Sequence, residues 1–268
     1  MRVLCLNGWG GRLHDALVAY VRAADPDVLC LQEVVHTPDA PRPVLSYRDG
    51  GADLPQRANF FADVAAALPD HAAMFCPAAR GDLWDGDRAV PSQWGLATFV
   101  RRTLPVIGQA QGFVHGKYGA DGYGAHPRSR SAHAVRVWDH AGGFGITIGH
   151  MHGLRDPAAG KHDTPARAAQ AERLAALVAG AAEPGARLVV CGDFNVLPES
   201  GTFGVLARLG LADLVTGRGF ADTRTSYYAK PERFADYMLV NAAVTITGFD
   251  VVAAPEVSDH RALLLDLC

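Results

Sequence analysis

Six short segments of this chain put carboxylate, amide or imidazole groups where apolar runs begin or end. Gly192-Asp193-Phe194-Asn195 follows the apolar run 188–191. Asp193 and Asn195 are two residues apart, so in extended backbone their side chains face one side. A carboxylate and an amide on one face can take a proton from water and hold a phosphate oxygen. Glu33 follows the run 27–32, and a carboxylate there suits a hard cation. Asn7 ends the first apolar run, where its amide can bind that cation or orient Glu33. His150 closes the run 144–149, with His152 two residues on. Imidazoles at a strand end can protonate or hydrogen-bond a phosphate. Asp236 opens the run 236–240 and can fix the tautomer of a nearby imidazole, while Asp259-His260 opens the last run. Any one of these segments alone has a plainer reading as a turn, a strand cap or a salt bridge.

The elements that must position these groups alternate between short apolar runs and helical patterns. Strands are expected at 2–6, 27–31, 71–76, 94–100, 131–139, 143–151, 186–191, 236–241, 244–252 and 261–267. Apolar residues at 13, 16, 17 and 20 mark a helix over 12–24, stopped by Asp25-Pro26 because the residue before proline avoids the α region. Further helices are expected near 55–68, 164–182 and 199–209; Thr164 can cap the second of these and Pro165 suits its first turn. The Gly-rich segment 108–130 reads as a long functional loop. Asp139 to Gly143 is a hairpin signal between two consecutive strands, so the chain is α/β without being a simple βαβ series. Two mixed sheets packed face to face with helices outside fit this order, in one domain spanning 1–268.

Composition bounds the function. The chain of 268 residues is 49% hydrophobic and 20% charged, with a net charge of −3 and no Lys/Arg run. A protein that lives on duplex DNA usually carries a basic face, so this balance counts against a general nuclease. Cys5, Cys30, Cys76, Cys191 and Cys268 include no CxxC pair, which counts against a disulfide frame or a zinc site. No apolar run is long enough to span a membrane. A reducing cytoplasm is the expected setting.

With these residues placed, the chain resembles the endonuclease/exonuclease/phosphatase superfamily, which has the DNase-I-like fold. The match runs in order through Asn7, Leu31-Gln32-Glu33-Val34, Trp94-Gly95-Leu96-Ala97, His150-Met151, Gly192-Asp193-Phe194-Asn195, Asp236-Tyr237-Met238-Leu239 and Ser258-Asp259-His260. The resemblance implies a four-layer α/β sandwich with the site at one edge of both sheets. It implies that Asn7, Glu33 and Asp259 hold a divalent cation, Mg²⁺ or Mn²⁺. Asp193 would activate or orient the attacking water, and Asn195 would hold the phosphate. His260, oriented by Asp236, would stabilise the charge on the phosphorus centre, and His150 would contact the phosphate or assist the leaving group. The chain departs from the family pattern in two places. Phe234-Ala235 precedes Asp236-Tyr237 where many members have Arg-Ile, and Trp9 stands where abasic-site endonucleases have an acidic residue. No residue is identified as the glutamate that pairs with the first histidine in secreted DNases, although Asp82, Asp85 and Asp87 lie in that region.

The bond type follows from the resemblance, whereas the substrate must be read from the rim. Arg224 and Lys230 precede Asp236, Arg155 follows His152 with Lys161, His162 and Arg167 close behind, and Arg128-Ser129-Arg130 ends the Gly-rich segment. Arg224, Arg155, His152 and Lys230 are the candidate substrate-binding residues, since cations can grip a second phosphate. Trp9, Trp84, Trp94, Tyr118 and Tyr123 can stack a base. A phosphatase or phosphodiesterase acting on a small molecule or lipid headgroup is the first reading. A DNA or RNA nuclease is the alternative, and a catalytically inactive binding module is the remote one.

Overall fold

Alternation along the first strand sets the architecture. In β1 (Arg2–Asn7), Val3 and Cys5 face one way and Leu4 and Leu6 the other. Both faces are buried, so this strand must lie inside a sheet covered on both sides. The computed structural model describes residues 1–268 and bears this out. After β1 come α1 (His14–Ala24), β2 (Val28–His36), β3 (Val44–Asp49), β4 (Ala52–Arg57), α2 (Phe60–Ala67), β5 (His71–Asp85) and β6 (Arg88–Arg101). Next are β7 (Val106–His115), β8 (Arg130–Asp139), β9 (Phe144–His152), α3 (Pro165–Ala181), β10 (Arg187–Asp193) and α4 (Gly201–Ala207). The chain continues through β11 (Ala212–Asp213), α5 (Leu214–Gly217), β12 (Asp236–Val240), β13 (Ile246–Val251) and β14 (Leu263–Leu267).

The strands form two mixed sheets. One has eight strands in the order β13-β14-β1-β2-β6-β5-β3-β4, and the other six in the order β11-β12-β10-β9-β8-β7. β1 pairs parallel with β2, and β9 with β10; the other pairings are antiparallel. Val3, Cys5, Val28 and Cys30 pack against Val189, Cys191 and Met238 between the sheets. Leu4, Leu6, Leu29 and Leu31 point outward under Leu17 and Val21 of α1 and Phe60 and Val64 of α2. Leu174 and Val178 of α3 cover the other sheet, so the layers run helix, sheet, sheet, helix. No helix is long and apolar enough to cross a membrane.

Polar side chains also cross between the sheets. Thr98 Oγ1 on β6 lies 2.7 Å from His133 Nδ1 on β8 and 2.8 Å from His150 Nε2 on β9, and Gln32 Nε2 on β2 lies 3.2 Å from His150 Nδ1. All four residues are buried. Burial pushes His133 down to about 4, and burial, then His133, push His150 well below the usual imidazole value. Both rings are therefore neutral and can share these hydrogen bonds without an unpaired charge.

Three expectations change. Residues 44–49 and 52–57 form the β3–β4 hairpin, so the helix expected at 55–68 begins only at Phe60. β5 and β6 extend to 15 and 14 residues, a long hairpin whose tip carries Asp85. The Gly-rich segment is a strand over its first part, since β7 covers Val106–His115, and the connecting loop is 116–129. β7 is an edge strand in which Val114 alone is fully buried, so it carries no apolar run for sequence reading to find.

Candidate active site

Local backbone aims the groups. Thr164 caps α3 by accepting from Arg167 N, and the buried Arg167 donates to the carbonyls of Leu154, His162 and Gly160. This fixes the chain just after β9. In β10, Gly192 has φ 141°, and a Cβ there would collide with the Met151 carbonyl. Glycine thus lets β9 and β10 close until His152 stands opposite Asp193. Glu33 and Asn195 both hold left-handed backbone, at φ 55° and 53°, as does Trp9 at 49°. Such backbone is costly for a residue with a Cβ and recurs at functional sites.

These devices gather most of the expected residues at one edge of both sheets. Asp193, 2% exposed, accepts from Asn7 Nδ2 at 3.0 Å. His152 Nε2 lies 3.6 Å from Asp193 and 3.8 Å from Glu33, and His260 Nε2 lies 3.7 Å from both Asp193 and Asp259. His260 Nδ1 sits 2.8 and 2.9 Å from the two Asp236 oxygens. Burial, then Arg224, push His260 down to about 4, so the ring is neutral and its one N–H donates to Asp236. Nε2 therefore presents a lone pair, which accepts from Arg224 Nη1. Arg224 also holds Asp259 at 3.0 Å and stacks on Tyr228. Burial lowers its guanidinium, but Asp193, Asp236 and Asp259 outweigh that and hold it above the usual value. Thr223 Oγ1 accepts from Ala235 N and Asp236 N and so anchors the carboxylate that orients His260.

The site opens into a cleft of about 610 Å³. Glu33, His152, Asp193, Asn195, Asp259 and His260 line it, together with Arg155, Arg224 and Lys230. Seven Arg or Lys side chains and five carboxylates border it, a surplus of two positive charges in a chain whose net charge is −3. Burial, then Arg224, bring Lys161 down to about 8; its ammonium donates to the Phe234 and Glu232 carbonyls at the cleft wall.

One sequence expectation needs correction. His150 does not border the cleft: Gln32 and Thr98 engage both its ring nitrogens between the sheets. His152 shares its strand face but lies one pleat repeat, roughly 6.6 Å, nearer the strand end, and there it meets Glu33 and Asp193. Asn7 stays at the site: its Oδ1 accepts the Trp9 N–H at 3.0 Å and keeps a second lone pair, while its Nδ2 orients the Asp193 carboxylate.

The remaining carboxylates suit a hard divalent cation. Burial, then the charges of Asp259 and Asp193, push Glu33 up to about 7, a mutual repulsion that a cation would relieve. Asp193, Asp236 and His260 place ligand atoms within 4.8 Å of one another. Asp236 is committed to His260 and does not line the cleft, however, so Glu33 and Asp259 are the better-placed oxygen donors.

No carboxylate from the β5–β6 hairpin reaches the cleft. Asp85 pairs with Arg42, and the hairpin contributes Ala78, Ala79 and Trp94 to the wall. Sequence reading undervalued Arg130 and Lys161, which it held only as rim segments, and passed over His126. A cation just after a Gly-rich stretch was the one available signal.

A two-sheet α/β sandwich with such a cluster at one edge defines a DNase-I-like fold, the scaffold of hydrolytic phosphoesterases. The chain belongs to the Endonuclease/Exonuclease/phosphatase family, whose model matches residues 4–260. An endonuclease/exonuclease/phosphatase from Bacteroides vulgatus superposes with a TM-score of 0.68 at 18% identity, covering 99% of this chain and 97% of that one. Mannosyl-6-phosphatase from Bacteroides thetaiotaomicron gives 0.66 at 16% identity, covering 100% and 99%. The human Nocturnin catalytic domain with bound sulfate gives 0.65 at 18% identity, covering 100% and 93%. No curated protein sequence matches this chain significantly.

Proposed function

We propose that this chain is a divalent-cation-dependent hydrolase of a phosphoester on a small molecule. One observation carries this reading. Asp193 stands at the cleft floor with His152 on one side and His260 on the other, both within 3.7 Å, in a cleft whose charged groups sum to a positive surplus.

Glu33 and Asp259 would hold the cation, Mg²⁺ or Mn²⁺, with Asn7 orienting the neighbouring carboxylates. When bound, the cation would supply charge neutralisation for the phosphoryl and leaving oxygens. Asp193 takes a proton from the attacking water as the water oxygen bonds to phosphorus and the ester P–O bond breaks; the leaving alkoxide is then protonated by solvent. Arg224, Lys161 and the Asn195 amide attract the non-bridging oxygens. Asp236 fixes the His260 tautomer, so the Nε2 lone pair holds the Arg224 guanidinium at the phosphoryl site. His152 sits between Glu33 and Asp193 and positions both.

Turnover of a panel of phosphate mono- and diesters with Mg²⁺ or Mn²⁺, against chelator and His260→Ala controls, tests the reading. No turnover of any member would sink it. Mutation-sensitive nicking of DNA, with no small ester cleaved, would turn it into the nuclease reading. The free thiols, four of them buried, support a reducing cytoplasm.

Two further results are expected. His150→Ala loses two buried hydrogen bonds and leaves a hole, costing about 2–4 kcal/mol of stability, while kcat of the folded protein stays within a few-fold. His152→Ala lowers kcat/KM about 10- to 100-fold with little change in melting temperature. Thermal melts and steady-state kinetics on both variants read this contrast, and the opposite pattern would restore His150 to the site.

The second concerns pH. Glu33 is protonated below about 7 in the cation-free protein, so a cation must displace that proton. Affinity for Mn²⁺ should fall about tenfold per pH unit below 7 and level off above it. A raised carboxyl also means that the cation-free fold loses stability as pH rises through about 7, and the cation restores it. Calorimetric titrations from pH 5.5 to 8.5 measure both the affinity and the proton release. An affinity independent of pH would remove Glu33 from the ligand set.

A further inference from the structure

Beyond the reaction centre, the same cleft carries a cluster of cations that the chemistry above does not use. Arg130 is only 6% exposed, yet no carboxylate lies within salt-bridge reach of it. Its guanidinium bonds to two carbonyl oxygens, of Gly153 at 2.9 Å and Ser129 at 3.5 Å, and Nη2 has no protein partner. Burial brings its guanidinium down to about 10; the Glu33 and Asp193 carboxylates oppose this from beyond ion-pair distance, and Arg128 and Arg155 push it down further. Arg155 lines the cleft beside it with neither an ion pair nor a hydrogen bond from its side chain. His126 completes the group; burial and then Arg128, Arg155 and Arg130 hold its imidazole below the usual value. Like charges gathered in a half-enclosed pocket repel one another unless an anion enters. Arg128 differs, since Asp49 and the Tyr47 hydroxyl already engage it.

Part of the cleft wall is apolar and aromatic. Ala78, Ala79 and Trp94 line it, Tyr47 packs against Trp94 and Tyr123, and Arg128 lies over Tyr123. Leu54 and Pro55 of β4 also line the cleft, and together with Tyr47 and Tyr123 they wall this end.

We propose that Arg130 and Arg155 form a subsite for a second phosphate, so that the substrate is a small bisphosphate whose sugar-sized body lies along Trp94 and the two alanines. This rests on the phosphoester-hydrolase reading and narrows it. A polymer is disfavoured because the chain has no basic run to track a backbone.

The test compares matched pairs: a hexose 6-phosphate with the 1,6-bisphosphate, and a nucleoside 5′-phosphate with the 3′,5′-bisphosphate, alongside a single-stranded oligonucleotide. The expected result is a kcat/KM about 10- to 100-fold higher for the bisphosphate of at least one pair, the size of one or two charge-assisted hydrogen bonds. In Arg155→Gln and Arg130→Gln that ratio falls toward one. Calorimetric titration of the same pairs into chelator-treated protein gives the ratio without turnover. If nothing is turned over but bisphosphates still bind more tightly in an arginine-dependent way, the hydrolase reading fails and the subsite stands. Equal ratios in both readouts, or a preference that survives both substitutions, would overturn the subsite. An oligonucleotide preferred over every bisphosphate would overturn the small-molecule assignment.

Discussion

Replacing Asp193 with asparagine should lower kcat by about 10²–10⁴-fold and leave KM within a few-fold. The substitution keeps shape and still offers an oxygen to Asn7 Nδ2, which now lies 3.0 Å from the carboxylate. It removes the one group at the cleft floor that lies beside both His152 and His260 and can carry a proton away from water. General acid–base catalysis by a positioned group is worth about that factor. Because Asp193 is 2% exposed and its carboxylate neighbours repel it, the variant should melt no lower than the parent protein. Residual kcat within tenfold of the parent would show that another group takes the proton, with His260 Nε2 the first to examine.

Removing the cation should cost at least as much. Chelation is expected to abolish measurable turnover, a loss on the order of 10³-fold or more, and Glu33→Gln should reproduce most of it at cation concentrations that saturate the parent protein. The glutamine keeps the side-chain length but not the charge that burial, Asp259 and Asp193 destabilise in the empty site. Glu33→Gln should therefore be more thermostable than the parent without cation and lose that advantage when cation is added. Activity that persists through exhaustive chelation would remove the cation from the mechanism, whatever its ligands.

The carboxylates and His260 were legible in the sequence because each stands where an apolar run meets a turn, and strand ends are where a sheet presents side chains to a cleft. The two-sheet architecture was legible for the same reason: runs buried on both faces need covers on both sides. Depth was not legible. His150 and His152 share a strand face, and only the position of the strand end relative to the other sheet decides which one meets solvent. Backbone strain was not legible either. Three of the four residues other than glycine with positive φ, Trp9, Glu33 and Asn195, line the cleft, and nothing in a glutamate or a tryptophan announces that conformation. Strands at or next to a sheet edge, such as β3, β4 and β7, escaped because half-exposed pairs carry little apolar pattern.

The polar bridge of Thr98, His133, His150 and Gln32 has a bearing on catalysis although none of the four enters the cleft. Two greasy surfaces pressed together have little preference for one sliding position over another. Buried hydrogen bonds select a single seating, because any slip leaves partners unmet. The reactive groups are divided across that same seam: Asn7 reaches Asp193 from the opposite sheet, and His260 reaches Asp236. A slip of about one ångström would disconnect them while leaving both halves folded. Turnover is therefore a gauge of how the two halves are seated, and conservative substitutions at Thr98 or His133 should detune the enzyme from a distance before they unfold it.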